Sequence, residues 1–228
     1  MKNPHREVIV LIGKPGCGKG TQAEPLAKAL GIVFVSMGKM LRDEIRKKTA
    51  LGRRAAAIVA KGRLVPYQMT ITLLRRRMNK ADAKGGIVLD GFPREIDQAR
   101  ALEKIAHVTH AVLISITDRE VVHRIAGRRV CSKCGRNYHL VTDPPKKAGI
   151  CDACGGKLIQ RYDDRPSVIR ERLESYRDDT IPVLHFYRRL RALRRIEGVG
   201  SIEDVGKLIL AAVRQSDKGI NRHASRLH

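Results

Sequence analysis

Tryptophan is absent from the sequence. Three phenylalanines and five tyrosines bring the aromatic fraction to only 4% of 228 residues. Stacking platforms for single-stranded nucleic acid are therefore scarce, since each needs an exposed ring. No apolar run approaches the roughly 18 residues that a membrane span requires, which argues against a membrane protein. Met1-Lys2-Asn3-Pro4-His5-Arg6 leads straight into an apolar strand pattern and leaves no room for a signal peptide, so the expected compartment is the cytoplasm. Acidic residues are short as well. Only 23 Asp and Glu face 46 Lys and Arg, for a net charge of +23 and a pI near 10.5. A field of that sign gathers anionic partners (nucleotides, nucleic acid or anionic lipid) without choosing among them, and a merely solvated basic surface is the alternative. What remains is ordinary: 43% hydrophobic and 30% charged residues, enough for one sizeable core with a small insertion.

The most informative stretch is Gly13-Lys14-Pro15-Gly16-Cys17-Gly18-Lys19-Gly20-Thr21. Before it, Val8 to Ile12 reads as a strand buried on both faces. After it, Thr21 to Leu30 carries a helical pattern closed by Gly31. Strand, glycine loop, lysine, hydroxyl and helix together make a polyphosphate cradle. The backbone N–H groups turn inward, the helix end adds its dipole, Lys19 reaches the outer phosphates, and the Thr21 hydroxyl is placed for Mg²⁺. The strict motif has Ser or Thr directly after the lysine, whereas here Gly20 intervenes.

Further strands are predicted at 32–35, 87–89 and 111–115, with a fifth around 194–196. Helices are expected over about 39–48, 53–61, 68–78, 95–106, 119–128, 167–187 (interrupted near Pro182) and 202–213. This alternation predicts a doubly wound α/β fold: a five-stranded parallel sheet with helices on both faces and ligands at the carboxyl ends of the strands. The third strand ends in Asp90-Gly91-Phe92-Pro93-Arg94. A carboxylate at that end, near a phosphate loop, suits a water-mediated Mg²⁺ ligand, and Arg94 suits a phosphate clamp. The polar, basic tail 215–228 has no periodicity and reads as disordered.

Four of the five cysteines stand as Cys131-x-x-Cys134 and Cys151-x-x-Cys154, sixteen residues apart, each pair followed by glycine. Two such knuckles predict a tetrahedral Cys₄ site, with structural Zn²⁺ as the expected metal, iron as the alternative on the same thiolates and disulfides as the rival chemistry. A segment this short and poor in large apolar residues needs the metal's binding energy to fold. Cys17, the fifth, lies inside the phosphate loop.

Taken together, residues 7 to 213 resemble the long-form adenylate kinases with a zinc-bearing lid. The likeness rests on Gly13 to Gln22, Asp90 to Arg94, Gly127-Arg128-Arg129-Val130-Cys131 and Arg161-Tyr162-Asp163-Asp164. It implies a core of 1–127 and 165–214, a monophosphate-binding helical insertion over about 36–65, and a lid over 128–164. The implied reaction is reversible transfer of a phosphoryl group from Mg·ATP to AMP by a monomer. On this likeness Gly16, Cys17, Gly18, Lys19, Gly20 and Thr21 wrap the ATP phosphates, with Arg124, Asn137, Tyr138 and Gly200 also on the ATP side. Met37, Arg42, Leu64, Val65, Gly91 and Gln98 are implied around AMP. Arg94, Arg128, Arg161 and Arg172 would close over the reacting phosphates, and Asp90 would hold Mg²⁺ through water. The pattern departs from the family at Met37 and Lys39, where threonine and aspartate are usual, and at Asn137, where a small hydroxyl residue is. Two other readings stand beside it: a kinase for another nucleoside monophosphate, and a zinc-knuckle ATPase binding nucleic acid, for which the +23 charge also allows non-specific association.

Overall fold

The computed structural model describes residues 7–61, 63–161 and 164–215. Most of the tail expected to be disordered, along with Tyr162 and Asp163 of the Arg-x-Asp-Asp run, lies outside them. Five strands form one wholly parallel sheet: β1 (Glu7–Ile12), β2 (Val33–Ser36), β3 (Gly86–Asp90), β4 (His110–Ser115) and β8 (Leu193–Glu197). Their order is β2-β3-β1-β4-β8. The three inner strands, β3, β1 and β4, are buried on both faces, which is why they read as continuous apolar runs, whereas the edge strands β2 and β8 are only partly covered. In β1, Val8, Val10 and Ile12 enter one core and Ile9 and Leu11 enter the other.

Helices cover both faces. Residues of α2 (Met37–Arg46), α3 (Ala50–Ala60), α4 (Tyr67–Met78), α5 (Ile96–Ile105) and α8 (Ile181–Arg189) fill the first core. Those of α1 (Lys19–Leu30), α6 (Asp118–Ala126), α7 (Pro166–Ser175) and α9 (Ile202–Arg214) fill the second. Between α6 and α7, three short strands build a separate antiparallel sheet ordered β6-β5-β7: β5 (Arg128–Cys131), β6 (Asn137–His139) and β7 (Leu158–Ile159).

Three helices start two or more residues earlier than periodicity suggests, among them α3, which opens at Ala50 because the Thr49 hydroxyl accepts from the Gly52 N–H at 3.0 Å. α1 opens at Lys19, because Gly18 sits left-handed (φ 96) as its N-cap. α2 opens at Met37, because the Ser36 hydroxyl accepts from the Lys39 N–H at 3.4 Å. The interruption expected near Pro182 in the helix over 167–187 takes the form of a π turn, Tyr176–Thr180, just ahead of that proline. Proline cannot donate to the preceding turn, and the wider turn absorbs that defect.

α8 ends in a two-bond closure, Arg191 N–H to Arg188 O and Ala192 N–H to Tyr187 O. Arg191 thereby occupies the left-handed position (φ 58) where glycine is common. A side chain there costs on the order of 1 kcal/mol.

Candidate active site and metal centre

The phosphate loop joins β1 to α1 at the carboxyl edge of the sheet. Gly16 and Gly18 hold φ 76 and 96, conformations that L side chains resist. A Cβ on Gly16 would also meet Ile125 Cγ1 at 2.9 Å. Lys19, the first residue of α1, donates its ammonium to Gly13 O (2.6 Å) and Lys14 O (2.9 Å), and lies 3.3 Å from Cys17 Sγ. Cys17 is itself buried, its sulfur packed against Gly13. Thr21 is exposed at the first turn.

Asp90 ends β3 next to this loop. Its Oδ2 accepts from the Ser36 hydroxyl at 3.2 Å and lies 3.5 Å from the Cβ position of Gly20. The carboxylate therefore stands at the loop's flank, a donor of the kind that could hold a hydrated divalent cation.

Beyond Asp90 opens a cleft. Met37, Leu64, Val65 and Gln98 line it together with Arg42, Arg94, Arg161 and Arg172. Gly91 lies at its edge, and Arg94 folds back to donate to Gly91 O at 3.1 Å. Gln98 is 2% exposed. Its carboxamide accepts from Arg94 N–H (2.9 Å) and donates to Glu95 (3.0 Å), leaving one hydrogen and one lone pair for a ligand. Burial pushes the Glu95 carboxyl above its usual range. Thr180, from the π turn, donates to Arg94 O at 2.8 Å and so fixes the chain carrying the clamp.

Sequence reasoning gave Asp164 no role, yet it organises the arginines. Its carboxylate is wholly buried and accepts from both Nε (2.8 Å) and Nη2 of Arg128, with Arg172 Nη1 at 3.5 Å. Two guanidinium groups from β5 and α7 are thus held side by side on one charge. Arg124 is set by Glu120 (2.5 Å) and Gly198 O (2.8 Å), near Gly200. A second unforeseen link is Asp118, which lies 2.6 Å from Lys14 Nζ of the phosphate loop and 2.7 Å from Arg177 Nη2 of the π turn. The Lys14 hydrogen bond, helped by Arg177, holds this carboxyl below its ordinary range. No spacing in the sequence links residues 14, 118 and 177.

In the small sheet, the Sγ atoms of Cys131, Cys134, Cys151 and Cys154 all lie within 4.8 Å of one another. Cys131–Cys154 and Cys134–Cys151 are 3.5 and 3.6 Å apart, and all four are free thiols. Disulfide sulfurs sit at about 2.05 Å, so the rival reading fails. Tetrahedral 2.3 Å metal–thiolate bonds place sulfurs about 3.8 Å apart, so the donor set fits a metal such as zinc. Backbone N–H groups of Lys133 and Cys134 point at Cys131 Sγ, each at 3.4 Å. Tyr138, implied near ATP, is only 3% exposed. Its hydroxyl donates to Cys151 Sγ at 3.4 Å and accepts from Asp152 N–H at 2.8 Å, which supports the cysteine cluster. That bond draws the Cys151 thiol down to about 6. Asn137 is exposed on β6.

The root of this sheet is keyed by His139, paired across from Arg128. Its Nδ1 accepts from Val141 and Thr142 N–H (3.2 and 3.1 Å), and Nε2 lies 3.5 Å from His123 O. A Cβ on Gly127, whose φ of −83 suits any residue, would strike the pinned ring. Gly127→Ala is therefore expected to destabilise the protein by about 1–2 kcal/mol, and to be harmless in a His139→Ala background. Urea melts of the four proteins in that cycle provide the check.

A family model described as adenylate kinase matches residues 11–192. The chain is 42% identical over 212 residues to the adenylate kinase of Thermosipho melanesiensis, an alignment covering 91% of this chain and 99% of that protein. It is 40% identical over 211 residues to that of Geotalea daltonii, covering 90% and 99%. To that of Methanocella arvoryzae it is 42% identical over 212 residues, covering 91% and 98%. The chain belongs to the adenylate kinase family. As a member of that family it is an enzyme, a nucleoside monophosphate kinase. Among the described residues, no helix of this kinase is long and apolar enough to cross a membrane.

Proposed function

We propose that the enzyme catalyses reversible, Mg²⁺-dependent phosphoryl transfer from ATP to AMP, giving two ADP. The observation that carries this reading is the single cleft in which Arg42, Arg94, Arg161, Arg172 and Gln98 converge beyond Asp90 and the phosphate loop. Phosphoryl transfer needs two anions in line, water excluded and developing charge neutralised, with little covalent help. In this reading Gly16 to Thr21 wrap the donor phosphates and Lys19 exchanges its loop carbonyls for phosphate oxygens. Arg42 and Arg94 hold the acceptor phosphate. Arg128 and Arg172, steadied by Asp164, face the group in transit, with Arg161 beside them. Arg124, Asn137, Tyr138 and Gly200 frame the donor side, Tyr138 through the sheet that it stiffens.

Asp90 and the Thr21 hydroxyl would hold Mg²⁺, whose charge would offset that of the bridging oxygens. The four thiolates would hold Zn²⁺ as a structural ion. Residues 128–164 act as a flap whose closure excludes water. The working assembly is a monomer in the cytoplasm, a carry-over from the family likeness.

Gln98 favours adenine, because its remaining donor and acceptor match the two-point edge of that base. One observation favours the second reading, another monophosphate: Met37, 2% exposed, lines the acceptor cleft with an apolar side chain. A coupled assay over AMP, GMP, CMP and UMP decides. AMP is expected to win in kcat/KM by at least tenfold, and Met37→Thr to change that margin by about tenfold or less, the scale of one small contact. Faster turnover of another monophosphate would replace AMP in this proposal.

A further inference from the structure

We infer that the amino-end face of the sheet, opposite the nucleotide cleft, is a docking surface for the phosphodiester backbone of duplex nucleic acid. Three helices end there. α4 leads into β3, α5 into β4 and α8 into β8, and those strands are parallel, so the carboxyl ends of the three helices gather at one edge. α5 packs between α4 and α8 and makes the surface continuous. That edge carries Arg75, Arg76, Lys104, Arg188, Arg189 and Arg191, all exposed.

The nearby carboxylates are already engaged: Asp82 on Arg77, and Glu103 on His107 and the Val108 N–H. Among the described residues none of the six cations forms an ion pair. Helix ends account for part of this charge. A helix terminus carries about half a negative charge, so one cation for each helix would answer it. Six exceed that need. Arg191 also keeps its charge in the left-handed position where glycine would relieve the backbone.

Five of the six are arginines, whose planar forks pair with phosphate oxygens in two-point fashion. Among the described residues this face carries a single exposed large apolar side chain, Leu190, too little to insert into a lipid surface. Both points favour a phosphodiester backbone over a membrane. Strands of five or six residues put roughly 17–20 Å between this edge and the cleft, so both ligands fit at once.

Fluorescence anisotropy with labelled 20-base-pair DNA and RNA duplexes, titrated from 50 to 200 mM salt, tests the inference. The full-length protein is expected to bind at least one duplex with a log–log salt slope near −5, as six phosphate contacts give. Arg75→Glu/Arg76→Glu/Arg188→Glu/Arg189→Glu is expected to lose at least 100-fold in affinity and most of that slope, with ATP–AMP turnover within twofold of the parent. As a milder variant, Arg191→Gly is expected to raise Tm by about 2–4 °C while weakening binding severalfold. Binding to neither duplex overturns the inference, as does unchanged affinity in the folded charge-reversed variant. It also fails if a bisubstrate dinucleotide displaces the duplex, since the polyanion then sits in the cleft. Capture by phosphatidylglycerol vesicles in place of the duplexes would likewise overturn it.

Discussion

Replacing Asp164 with alanine is expected to cut kcat by roughly 10³-fold, the lower end of what an arginine on a transferring phosphoryl group is worth. The carboxylate is wholly buried and holds Arg128 and Arg172 together, while those side chains are only 18% and 13% exposed. Without it, two like charges face each other in a poorly solvated site, and each guanidinium leaves the place from which, in the proposed reaction, it would meet the phosphate. The same loss strands buried charge, which costs about 3 kcal/mol and shifts Tm by roughly 6–12 °C. Asp164→Asn keeps the shape and removes the charge, so its kcat belongs between the two. Steady-state assays beside calorimetry separate the effects, because a folded variant can be compared well below its Tm. Full-speed turnover in a folded Asp164→Ala protein would remove the arginine pair from the mechanism.

Metal stripping carries the other large effect, this time on stability. Four residues make up the whole buried cluster of the small sheet, Cys131, Tyr138, Cys151 and Leu158, and two of them belong to the four-thiol group that would hold the metal. Structural zinc supplies on the order of 10 kcal/mol of apparent binding free energy, more than this cluster gains from burial. A tight chelator is therefore expected to lower the melting transition by at least 10 °C. At 20 °C, with the parallel core intact, turnover is expected to fall only severalfold, since no thiolate lies among the groups lining the acceptor cleft. Calorimetry and a coupled assay on the same chelated sample test both halves. Loss of activity at an unchanged Tm would make the metal catalytic instead of structural.

The legible parts of this protein were those whose physics is local. A strand, a glycine turn and a helix end lie within about twenty residues, so the phosphate loop could be read from residues 8 to 30. Each cysteine pair is a tight turn, and the two pairs needed only proximity, which a short insertion supplies. The position of Asp90, at the end of a strand beside the phosphate loop, was legible because both features are local. Asp164 was different: its partner Arg128 lies 36 residues away, and nothing in the spacing marks one carboxylate as the anchor of two arginines. Tyr138 was assigned to the nucleotide side, whereas only the folded sheet shows its hydroxyl spent on Cys151 and Asp152. The π turn escaped periodicity for a related reason, since one wider turn leaves the apolar pattern on either side nearly unchanged.

By itself the sequence determined the class of the sheet, the phosphate loop and the four-thiolate centre, because apolar runs, glycines and close-set cysteines act over a few neighbours. Only the tertiary structure decided which distant charges meet. Asp164 under Arg128 and Arg172, Asp118 between Lys14 and Arg177, and cations from three helices along one edge all depend on parallel strands that return the chain to the same end. Electrostatic contacts act through space, and the chain's order carries no record of the distances that folding creates.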